Sequence, residues 1–149
     1  MRKIFVFSCF LFLLPVLLSA QTAAELETIL QSPTVTCTQA ARFVLASLAD
    51  ITVQDRNNAF ERVMANGWLP KNTLPDENIT LRKLSFLIMK AFDMKGGLMY
   101  LIFPSQRYAY RTMVSRSYIQ GASDPAMLVS GERFLHILGR VLSAEGNEP

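Results

Sequence analysis

Reactive and ligating side chains are scarce in this 149-residue chain, which holds one histidine, two cysteines and one tryptophan. Cys9 lies inside an N-terminal apolar run, so Cys37 is the only thiol in the rest of the chain. A single thiol excludes an internal disulfide framework, and the fold must rest on packing. One His and one Cys are too few ligands for a metal site, so neither metal nor cofactor is expected. No phosphate-cradling glycine loop and no Gly-x-Ser-x-Gly elbow occurs. Cys37 and His136 stand in different parts of the chain, and no spacing pairs them as thiol and base. Asp76-Glu77 lies just before an apolar run, where negative charge suits a helix N-terminus better than catalysis. The expectation is a non-catalytic protein.

Charge of one sign is lacking too. Without Arg2 and Lys3, thirteen basic residues face twelve acidic ones, which argues against nucleic acid as a partner. Alternating strand patterns of useful length are also missing, which leaves an all-α class.

What is present begins with a leader. Met1-Arg2-Lys3 is basic, Ile4–Leu18 is almost wholly apolar, and Leu18-Ser19-Ala20 closes the run. Residues 1–20 read as a secretory signal peptide. An apolar stretch broken by Pro15 is short for a spanning helix, although Leu18 leaves an uncleaved anchor open as the alternative. The protein is expected to be exported to the periplasm or cell envelope of a bacterium. Membrane contact is expected only through the signal peptide before cleavage.

The rest repeats itself. Ala59–Phe92 aligns without a gap on Ala109–Leu142 at an offset of fifty residues. Phe60 meets Tyr110, Val63 meets Met113, Trp68 meets Tyr118, Pro75 meets Pro125 and Ile79-Thr80 meets Val129-Ser130. Fixed-period similarity marks supersecondary units that cannot bury their apolar faces alone. Thr36, Thr80 and Ser130 each follow a β-branched residue and precede a helical apolar run, so each is a predicted helix N-cap. Gln39 completes a capping box with Thr36. The buried stripes read Ala40, Phe43, Val44 and Leu48, then Leu84, Leu87, Ile88 and Phe92, then Phe134, Ile137, Leu138 and Leu142. An earlier helix precedes each capped one, at roughly 55–66 with Gly67 as its stop and at roughly 105–119 with Gly121. In the first copy Leu26, Ile29 and Leu30 form the face, and the connection is about ten residues shorter by count along the sequence. One domain spans 21–142, and the small, polar segment 143–149 is expected to be a disordered tail.

These copies resemble S-layer homology repeats. Each has a helix, a glycine-marked turn, a proline-containing connection and a β-branched residue before a Thr or Ser cap. The resemblance implies three repeats in one pseudo-threefold helical domain that docks exported proteins onto cell-wall glycans. The family's Thr-Arg-Ala-Glu motif keeps its Thr at Thr36 and Thr80, with Ser130 a close substitute. Its Arg place holds Cys37, Leu81 and Gly131, and its Glu place holds Gln39, Lys83 and Arg133. The family's ligand-binding Arg therefore transfers to no copy.

Candidate binding residues cluster in the third copy. Arg107 and Arg111 are four apart and share a helix face, with Tyr108, Arg116 and Tyr118 nearby; forked guanidinium donors suit carboxylates or phosphates. The plainer alternative is a solvated face with Tyr110 and Tyr118 in the core. Trp68, after Gly67, is a further candidate, against packing between units. The expected partner is a cell-wall polymer or an envelope protein. The segment Leu98–Phe103, fenced by Gly96-Gly97 and Pro104, reads as a core-crossing connection or tucked helix, with an exposed docking patch as the alternative.

Overall fold

The structure, a computed structural model, describes residues 23–48 and 58–146. The expected signal peptide at 1–20 lies outside the described residues, as do 55–57 of the second early helix. Among the described residues are seven helices and no strand. They are α1 at 23–30, α2 (Cys37–Ala46), α3 (Ala59–Ala65), α4 (Leu81–Ala91), α5 (Leu98–Ile102), α6 (Gln106–Ser115) and α7 (Gly131–Glu145). The class is all-α.

Helices α2, α4 and α7 carry the core. Ala40, Val44, Leu84, Leu87, Ile88, Phe134, Ile137 and Leu138 are buried, with Phe43, Leu48 and Phe92 packed partly against them. Phe43 of α2 meets Phe134 of α7 edge to face, with ring centroids 6.1 Å apart. Leu142, expected inside, is 38% exposed, and Val141 beside it is buried in its place.

The three residues ahead of these helices form a closed ring of main-chain hydrogen bonds. Ile79 N donates to Val35 O at 2.8 Å, Val129 N to Ile79 O at 3.2 Å, and Val35 N to Val129 O at 2.9 Å. All three are wholly buried, so water could not serve these groups. Leaving one unpaired there would cost about 1–3 kcal/mol.

The helix N-termini are served across the same ring. Cys37 N donates to Glu77 O and Thr38 N to Pro75 O. In the same way, Leu81 N donates to Met127 O and Arg82 N to Pro125 O. The circuit closes when Gly131 N donates to Ser32 O at 3.0 Å. Each connection thus supplies acceptors to a helix that is not its own, which a free helix end requires. Where the end of α1 passes α7 there is no room for a side chain. A Cβ on Gly131 would stand 1.4 Å from Ile29 O.

Two of the three expected caps form. Thr36 and Gln39 make the full capping box, with bonds of 3.2 and 2.9 Å. Ser130 Oγ accepts from Arg133 N at 3.4 Å. Thr80 does not cap α4, and its buried hydroxyl has no partner. The three cap residues share the same extended backbone, with ψ of 159–160°, so the difference lies in the Thr80 side chain. The residues three further on, Lys83 and Arg133, reach back to their own connections. Lys83 Nζ donates to Glu77 Oε1 at 2.6 Å, and this bond holds the Glu77 carboxyl below the usual glutamate range. The Arg133 guanidinium donates to the carbonyls of Gln120 and Ala122 and to Met127 Sδ.

The early helices pack on capped helices, α3 on α2 and α6 on α4. Their buried positions are Ala59 with Val63 and Ala109 with Met113, whose small first members allow close approach. The expected face of the first early helix was too broad, since Leu26 and Leu30 are exposed. Helices α3 and α6 end alike. Gly67 (φ 68°) and Ser117 (φ 62°) are both left-handed, and the next N–H reaches back to Val63 O and to Met113 O, each at 3.0 Å. This is the Schellman end, and in the third copy Ser117, not Gly121, supplies it. Of the expected disordered tail at 143–149, residues 147–149 lie outside the described residues, while 143–145 form the last turn of α7, where Ser143 Oγ donates to Gly139 O and Ala144 and Glu145 favour helix.

Candidate functional site

The chain between α4 and α6 departs from the repeat. Helix α4 stops at a third Schellman end, with Asp93 at φ 48° and Met94 N donating to Met89 O at 2.9 Å. Gly96 follows because the Tyr100 ring lies on it; a Cβ there would meet ring atoms at 2.4–2.6 Å. That contact anchors the short helix α5 by one side chain. Tyr100 is 7% exposed, and burial, then the charge of Asp93, raises its phenol pKa.

Every other side chain of the segment faces outward. Leu98, Met99, Leu101, Ile102 and Phe103 are 47–72% exposed. The segment is a short helix, but it is neither tucked away nor crossing the core. With one anchor in six residues, it buries too little to be drawn inside.

Residues 96–100 face α6 across an open groove of about 450 Å³. Its other wall is Tyr108, Arg111, Thr112, Ser115 and Arg116. Arg116 closes one end by donating to Lys95 O at 2.5 Å. The groove therefore unites two features that the sequence presents separately, the arginine–tyrosine face and the apolar segment.

Of the expected binding residues, Tyr108, Arg111 and Arg116 line this groove. Arg107 is exposed on α6 but does not line it. The side chains of Arg107 and Arg111 have no hydrogen-bond or ion-pair partner among the described residues, which leaves both guanidinium groups open to an external anion. Trp68 is not brought to the site. It sits half-buried against the core at the end of α3. Tyr118, its counterpart, packs likewise, and its carbonyl accepts from Arg140 at 3.0 Å. Tyr110 is partly buried, with its hydroxyl on Ser123 Oγ. Thr112 and Ser115 were missed by sequence reasoning, since both hydroxyls serve α6's own carbonyls and nothing in the pattern marks them.

Reactive groups lie elsewhere. Cys37 is buried at the first position of α2, and burial pushes its thiol up to about 11, so it is a neutral packing group near pH 7. Leu81 and Gly131, its counterparts on α4 and α7, are buried as well. The place of the S-layer homology Arg thus points into the protein in all three helices. His136 is exposed on α7. No group of three His, Cys, Asp or Glu is placed to hold a metal ion among the described residues. Comparison with known protein families, curated proteins and solved structures gave no match.

Proposed function

We propose that the mature chain is a non-catalytic binding module of a bacterial envelope, exported by its leader. Three helix–connection–capped-helix units, similar to S-layer homology repeats, stand around one axis and form a rigid base. The ring of Val35, Ile79 and Val129 supports this arrangement. The binding face is the groove between α5 and α6 with its outward ledge, and the partner is an envelope component. One observation carries the reading: Arg111, whose guanidinium has no partner among the described residues, and the start of a run of exposed apolar side chains line one groove. The family's own glycan contact is disfavoured by the buried first position of each capped helix, so α6 takes over recognition.

The test is co-sedimentation of the mature protein with an isolated bacterial envelope fraction. The wild type should be retained, and an Arg107→Ala/Arg111→Ala variant retained less. Failure of the envelope to retain folded wild type would sink the proposal.

A further inference from the structure

Charge in the mature chain is unevenly placed. Residues 93–116 hold four basic side chains (Lys95, Arg107, Arg111, Arg116) against Asp93 alone, whereas the remainder holds nine basic against eleven acidic. The most apolar exposed surface lies inside that basic stretch. We infer that residues 98–103 and the basic groups beside them form a contact for an anionic lipid bilayer surface, with the ledge entering the headgroup–acyl boundary. This rests on the binding-module reading and names the partner of the same site.

Three observations favour lipid over a protein groove. First, Leu98, Met99, Leu101 and Ile102 spread over about 160° of α5's circumference at 100° per residue, and Phe103 extends the apolar surface further. That arc is free on the side of α5 away from Tyr100, so several directions of it could meet a surrounding medium at once. Second, the only polar side-chain group between Gly96 and Pro104 is the Tyr100 hydroxyl, on the one buried residue of α5. The ledge itself therefore offers no side-chain hydrogen bond at its surface, and hydrocarbon asks for none. Third, the cations sit beside the ledge and not on it, where they would meet headgroup phosphates as the apolar side chains enter. No described helix is long and apolar enough to cross a membrane, so the contact is at the surface. It goes beyond membrane association through the signal peptide alone.

The experiment is flotation of the mature protein with phosphatidylcholine vesicles containing phosphatidylglycerol, and with phosphatidylcholine vesicles alone. The wild type should float with the anionic vesicles and much less with the neutral ones. Arg107→Ala/Arg111→Ala should weaken anionic binding about thirtyfold, since each basic group near such a surface contributes roughly fivefold. Leu101→Glu/Ile102→Glu, at exposed positions that leave the helical circular dichroism unchanged, should weaken it by about a hundredfold or more. Leu101→Ser/Ile102→Ser should weaken it less but clearly. Absence of vesicle binding by folded wild type overturns the inference, as does equal binding by the ledge variants. If lipid-stripped envelope retains the protein through the same arginines while vesicles do not, the lipid inference fails and the binding-module reading stands. If neither retains it, both fail.

Discussion

The stretches 59–92 and 109–142 align residue for residue, yet they differ where each meets its neighbour. Both place a left-handed residue after the early helix, both close it with the same 3.0 Å bond, and both send a basic side chain back into their own connection. They part at the first turn of the capped helix. Leu81 fills a closed space there, whereas Gly131 leaves room for the carbonyl of Ile29. A repeat is preserved where it faces a full-length connection and altered where it faces the shortened one. Divergence between copies thus records what lies opposite.

The sharpest way to break this comparison is Gly131→Ala. The new methyl would strike main-chain atoms of Ile29 and Leu30, so the end of α1 must move, at an expected cost of about 3 kcal/mol or more. Urea unfolding would read this as a lower midpoint, and a cost below about 1 kcal/mol would mean that the end of α1 is not seated as described.

The same position in the first copy offers a pH test of nearly that size. Burial raises the Cys37 thiol from 9.0 to about 11, so folding protects the neutral form. Its stabilisation is complete below pH 9, where folded and unfolded chains are both protonated. As pH rises from 9 to about 11 the unfolded thiol ionises first, and about 2–3 kcal/mol is lost. The stability gap between wild type and Cys37→Ala should shrink over that window and hold constant from pH 6 to 8.

Ser117 and Gly67 sharpen the comparison further. A side chain in the left-handed region costs about 1 kcal/mol relative to glycine. Ser117→Gly should therefore stabilise and Gly67→Ser destabilise by about that amount, read as opposite shifts in melting temperature. The caps give the smallest contrast. Ser130→Ala removes a made cap and should cost about 1 kcal/mol. Thr80→Val removes a hydroxyl without a partner and should be neutral or slightly stabilising in the same unfolding assay.

Much of this fold was legible in the chain. The Thr36–Gln39 box reads directly, since both partners are side chains at fixed spacing. The β-branched residues before the caps were also marked, but their mutual bonds were not. Main-chain pairing between segments more than forty residues apart leaves no trace in residue type. Thr80 has the residue type and extended backbone of a cap yet makes no cap bond, a difference that residue type does not mark. At the site, the arginine face and the apolar run were each visible, while their meeting depends on how the Tyr100 ring seats on Gly96. Trp68 misled because an aromatic after a glycine turn serves packing as readily as binding.

The hydrogen-bond ring bears on how many segments such a chain can hold. An open array of repeats has two raw ends, grows by duplication and tolerates trimming. Here the last segment's donors are answered by the first, so there is no free end at which to add or remove one. A fourth copy would have to break an existing bond before it could join, and loss of any copy would strand buried groups on both sides. The segments that the ring joins should therefore melt in a single step.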